Sequence, residues 1–257
     1  MKKLARLIAA VSLLALTGCG KDIAASVSEE ETTAETTTLS LDEKVINLEE
    51  KLEKLNASYL KKLALTASEL PAEALDIPDD WEKLTVNGVS VSLPAGFTVD
   101  AEDSTVYDFK SGDVEGYVYF YEADENDENT LYKYLIEGTD LESIFGSFGL
   151  EFDGTVRSLY KNLLTLTAED LESADEKTKN DLSSFGALFM FTEKMYDLEK
   201  DGCELFISDM KDSMKDDDGN DAYSVDIFDD NSELYVVTIG CKDELTALRI
   251  AASADLQ

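Results

Sequence analysis

The chain has 257 residues, 22 of them Lys or Arg and 56 Asp or Glu, giving a net charge of −34, and it contains no histidine. That charge repels phosphates and anionic headgroups, so it argues against nucleic acid as a partner and against membrane binding through a basic patch. The missing imidazole removes Ser-His-Asp and Cys-His catalysis and every His-ligated zinc or copper site. With 44% hydrophobic residues, 11 Tyr and 11 Phe, there is apolar surface enough for a domain core. The acidic balance either marks a basic or cationic partner or serves as a solubility device.

Lys2, Lys3 and Arg6, the apolar run Leu7 to Leu16, and Leu16-Thr17-Gly18-Cys19 have the order of a secretory signal: a basic start, an apolar stretch too short to span a bilayer, and small residues before a cleavage point. The four residues ending at Cys19 resemble a bacterial lipobox. The resemblance implies a signal peptide over 1–18, lipidation of the Cys19 thiol, and a mature chain held at the extracytoplasmic face of the cell membrane by its N-terminal lipid. Two or three acyl chains, each gaining roughly 0.8 kcal/mol per buried methylene, would anchor it without electrostatic help.

Residues 19–38, with Glu29-Glu30-Glu31-Thr32-Thr33-Ala34-Glu35-Thr36-Thr37-Thr38, have little to bury and read as a disordered tether with a reach of roughly 25 Å. Such Thr/Glu tethers resemble those of Gram-positive lipoproteins. Ser40 and Glu43 form a capping box, and Leu41, Val45, Leu48, Leu52, Leu55 and Tyr59 then recur at helical spacing. The segment 39–80 is therefore expected to be a long amphipathic helix followed by a connector around Pro71 and Pro78. Its stripe suits either a coiled coil, which would make a homo-oligomer through 41–59, or a helix lying on its own domain.

From Trp81 the period changes to two. Asn87-Gly88 predicts a tight hairpin turn, because both residues tolerate positive φ. Strands are expected at Val89 to Leu93, Phe97 to Val99, Thr105 to Lys110 and Gly116 to Tyr121, then an acidic loop from Asp124 to Asn129. Helices follow from Thr130 to Glu137, from a Thr139 cap with Glu142 as box partner to Phe148, from Thr155 to Leu164, and from Thr167 with Asp170 in part to Phe185. Alternation returns at Ala187 to Leu198, Cys203 to Met210, Ala222 to Phe228 and Glu233 to Cys241, before a last helix from Asp243 to Ala254. Strands, helices, strands, helix is an α+β order: an antiparallel β-sheet covered by helices, forming one domain over 81–257.

If the four late strands form a meander, Cys203 and Cys241 lie at opposite ends of the sheet, beyond the roughly 7 Å a disulfide allows. Two buried free thiols are then expected, unless the connection from Met210 to Asp221 reorders the strands.

Val86 to Thr98, where a strand ends in Leu93-Pro94 before Gly96-Phe97, resembles the opening of PsbP-like domains. Residues 234–250, Leu234 to Ile239 leading into a short helix, resemble their C-terminal part. The resemblance implies an antiparallel sheet between helices and a binding or scaffold role rather than an enzyme. The helical segment 130–185 departs from it, and no functional residue carries over.

Tyr117, Tyr119 and Tyr121 alternate on one strand and so share a face, a surface for stacking on sugar rings or aromatic groups, or else a row half-buried under a helix. Asp216, Asp218 and Asp221 around Gly219 have the hard oxygen chemistry of a cation loop, but the EF-hand register puts Met214 first and Val225 twelfth, so no metal is expected there; Asp124, Asp127 and Glu128 read the same way. Ser58-x-x-Lys61 and Ser158-x-x-Lys161 match the penicillin-recognising pattern without its companion motifs, and read as helix surface. The sequence thus describes a lipid-anchored, non-catalytic binding or scaffold module, without cofactor, facing a basic or glycan surface partner. The alternatives are a carboxylate-dependent enzyme on cell-wall glycan or sugar, and a self-assembling surface protein.

Overall fold

A computed structural model describes residues 57–64, 67–100, 103–121, 136–186, 189–200, 202–210, 214–215 and 219–257. Helical residues 57–63 (α1) lead through a 3-10 turn, Ala72–Ala74, to strands β1 (Glu82–Val86) and β2 (Val89–Leu93). Asn87 at φ 50° and Gly88 at φ 82° make the turn between them, as the Asn-Gly pair predicts. β3 (Thr98–Val99), β4 (Val106–Ser111) and β5 (Val114–Phe120) follow, then helices α2 (Leu141–Ser147), α3 (Val156–Thr165), α4 (Ala168–Ser173) and α5 (Glu176–Gly186). Strands β6 (Lys194–Lys200), β7 (Cys203–Asp209), β8 (Asp221–Phe228) and β9 (Leu234–Cys241), helix α6 (Glu244–Ser253) and strand β10 (Asp255–Leu256) complete the order.

The late strands form the expected meander, and β9 then joins β5, so one antiparallel sheet runs β3-β4-β5-β9-β8-β7-β6 beside a small sheet β1-β2-β10. Its two faces bury different cores. Val118, Phe120, Val225 and Ile239 pack with Val91, Leu93, Leu248 and Ile250 of the small sheet and α6. Met195, Phe206, Phe228 and Leu234 pack with Phe145, Leu159, Leu163 and Phe185 of the helical layer. All seven residues of β7 are consequently buried, polar ones included. Lys200 Nζ reaches the carbonyls of Ala252, Ser253 and Ala254 at 3.3 to 3.5 Å, placing a cation where the α6 dipole is negative.

Several local expectations need correction. Asp140, not Thr139, caps α2: its Oδ1 accepts from Ser143 N at 3.3 Å, and a carboxylate one residue nearer displaces the hydroxyl cap. The Thr167–Asp170 capping box forms, but α4 stops at Ser173, because Ala174 is extended and Asp175 restarts a helix by accepting from Thr178 N at 2.8 Å. The strand expected from Ala187 begins only at Lys194, and the one expected to reach Tyr121 ends at Phe120. Strand β10 was not anticipated: Asp255 and Leu256 pair with Ser90 and Val89, and Gln257 N donates to Gly88 O at 2.9 Å. Cys203 and Cys241 are free and buried.

The lipobox, Cys19, the tether 19–38 and all but the last three residues of the 41–59 stripe lie outside the described residues. What is described of that helix lies on its own domain. Leu63 is buried in the helical core, Lys62 Nζ donates to Thr192 O at 3.0 Å, and a Cβ on Gly186 would overlap the Tyr59 carbonyl. Beyond it, Ser68 N donates to Met195 O at 2.7 Å and covers part of the β6 edge. No helix among the described residues is long and apolar enough to cross a membrane.

Candidate functional site

Tyr117 and Tyr119 stand opposite Gly240 and Thr238 of β9, and Tyr121 N donates to Val236 O at 3.3 Å, so β5 presents the alternation expected of a strand. The row is not an open platform. Tyr117 is 7% exposed, and its ring occupies the space a side chain at 240 would need. Tyr119 and Tyr121 are half-buried and meet edge to face at 4.8 Å between centroids. The Phe109 ring likewise fills the space left by Gly116, its cross-strand partner. Glycines at 116 and 240 thus let two aromatic rings close over the end of the β5–β9 ladder.

A cleft of about 850 Å³ opens at that end of the sheet, with Tyr117 in its wall. Its carboxylates are Asp108, Asp113, Glu115 and Asp243, and its cations Lys110 and Lys242. These acids are not equivalent. Lys110, cross-strand from Glu115, bonds it and holds its carboxyl below the usual range. Asp243 is committed to capping α6, accepting from Thr246 N at 2.8 Å. Asp108, paired across the ladder with Tyr117, makes no hydrogen bond or ion pair with the described residues, and partial burial together with the Asp100 charge pushes its carboxyl up. Thr98 and Asn220 add a hydroxyl and an amide to the lining. A pocket of this volume and mixed polarity is of small-molecule size.

The other sequence candidates are placed differently. Asp216, Asp218, Asp124, Asp127 and Glu128 lie outside the described residues, while Asp221 opens β8 with Oδ1 2.9 Å from Lys215 Nζ. Among the described residues no group of three or more Cys, Asp or Glu side chains is arranged to hold a metal ion. In the second Ser-x-x-Lys match, Lys161 is bound at 2.6 Å to Glu204, and Ser158 Oγ accepts from Asp153 N at 3.3 Å. The Ser158 side chain also hydrogen-bonds the Asp153 carboxylate, which is held below its usual range there, so the pair serves the start of α3.

Sequence reading missed the polar seam under α3. Arg157 and Lys161, one turn apart, both bind the buried Glu204, and Tyr160 Oη donates to Asp226 Oδ2 at 2.9 Å while Ser224 Oγ donates to its Oδ1 at 3.3 Å. Burial pushes the Asp226 carboxyl up to about 6 despite those two donors. Asp197 of β6 is pushed up as well, by burial and the Glu204 charge. The available signal is the pair of carboxylates interrupting apolar strands, which alternation by itself would assign to an outward face because it does not reveal a second covering layer.

A scan against models of known protein families finds no match, and a search of curated proteins finds no significantly similar sequence.

Proposed function

We propose that this chain is a lipid-anchored extracytoplasmic lipoprotein, held through Cys19, whose folded region acts as a non-catalytic binding module at the cell surface. The leader and the Leu16-Thr17-Gly18-Cys19 motif support the place. The cleft beside Tyr117 carries the proposed activity, because carboxylates outnumber cations in its lining and suit a basic or hydroxyl-rich ligand. The tether would set the module off the lipid surface.

The place is tested by labelling cells with a tagged fatty acid, comparing the natural chain with Cys19→Ser. Label lost in the variant, with release from the membrane, is the expected result; equal labelling would overturn it. The activity is tested by calorimetry of the purified full-length protein against solubilised surface glycan, natural chain against Asp108→Asn and Asp113→Asn. Unchanged binding in both variants would remove the cleft from the account.

One observation favours a second reading, an enzyme on cell-wall glycan or sugar. Asp108 is pushed up and Glu115 held down in the same cleft, the opposed shifts that an acid and a base carboxylate require. Release of reducing ends from that glycan, abolished by Glu115→Gln, would establish it.

A further inference from the structure

We propose that the ligand of the cleft beside Tyr117 is an amino sugar with a free, protonated amine, and that Asp108 is its counter-ion. The inference rests on the binding reading above and names the ligand class of the same site. Of the four cleft carboxylates, Glu115 is neutralised by Lys110 and Asp243 is committed to the α6 N-terminus; Asp108 and Asp113 have no side-chain hydrogen-bond or ion-pair partner among the described residues, and of the two Asp113 is exposed in the β4–β5 turn while Asp108 is half-buried in the cleft wall. With Asp100 close to it and a net charge of −34 on the chain, its surroundings favour an incoming cation.

The rest of the lining decides what the cation is attached to. The Lys242 ammonium, the Thr98 hydroxyl and the Asn220 amide suit the hydroxyls that flank amines on a sugar ring, acceptors that a fully protonated polyamine lacks. Phe109 and Tyr117 turn their rings onto the glycines, so no broad apolar floor is left for a hydrophobic side chain. A cleft of about 850 Å³ is within the range of small-molecule sites and large enough for a short oligosaccharide.

The probes are the glucosamine tetramer, which carries free amines, and its fully N-acetylated counterpart, titrated into the full-length protein in detergent. The amine form is expected to bind about tenfold or more tightly than the acetylated one, and Asp108→Asn to remove that preference, since a charge-assisted bond is worth more than a neutral one. Asp108 bonds to no described side chain, so the Asn variant should keep its melting temperature, which is measured alongside. Equal binding of both tetramers, lost on Asp113→Asn, would overturn the amine inference and leave the binding reading standing. Binding of neither tetramer would overturn both for glycans.

Discussion

Tyr117 and Gly240 face each other across the β5–β9 ladder, and the tyrosine ring fills the volume that any side chain at 240 would occupy. The pair explains why a tyrosine on a covered sheet can be buried without a hole beside it, and why the cleft begins where this pair ends. A methyl at 240 meets ring atoms that cannot move outward without opening the wall. Gly240→Ala is expected to cost about 1 to 3 kcal/mol, a melting-temperature drop of roughly 2 to 4 °C per kcal/mol, and to weaken cleft binding as well. A thermal melt with unchanged midpoint would show that the ring is free to swing away.

Tyr160 and Asp226 join the helical layer to the middle of the sheet. Because burial raises the Asp226 carboxyl from an ordinary 3.8 to about 6, the folded state binds its proton more tightly than the unfolded chain. Below about 3.8 both states are protonated and there is no penalty. Stability then falls as pH rises through the window up to about 6, and the full penalty, roughly 2 to 3 kcal/mol, persists above it. Asp226→Asn is expected to be more stable than the natural chain at pH 7, with the difference vanishing towards pH 4. Urea unfolding of both at several pH values checks this; a gap independent of pH would refute it.

Tyr223 lies wholly buried, and its hydroxyl finds no hydrogen-bond partner among the described residues. An unpaired polar group in a dry core costs about 1 to 3 kcal/mol. Tyr223→Phe keeps the ring and removes the orphan, so it should raise the melting temperature. Loss of stability in that variant would reveal a partner the hydroxyl serves.

At Gly186 the end of α5 touches the backbone of α1 at Tyr59. Alanine is the better helix former, by about 1 kcal/mol, yet its methyl would collide with a carbonyl rather than a movable side chain. Gly186→Ala is therefore expected to destabilise the domain and to speed proteolysis around residues 57–64, read by limited digestion and mass spectrometry. Slower digestion would mean that α1 does not depend on this contact.

Much of the architecture was legible along the chain. Asn87-Gly88, Thr155, the Thr167–Asp170 box and Asp243 each act through bonds to near neighbours, and each does what its local chemistry predicts. The free thiols were also reachable, because a meander places the start of β7 and the end of β9 at opposite ends of the sheet. The tyrosine row was half legible: alternation placed the three residues on a strand, but not the glycine beneath Tyr117. Asp140 in place of Thr139 shows the limit of cap reading where two good caps adjoin.

The sequence by itself determined turns, caps, most strands and the mixed α and β class, since these depend on residues within a few positions of one another. Only tertiary structure decided that both sheet faces are covered, that Glu204 and Asp226 need partners from α3, and that Asp108 lines a cleft without a side-chain partner among the described residues. Those outcomes join residues 47 and 66 positions apart. Local periodicity reports which residues share a face, but which face meets another layer is set by how the chain returns.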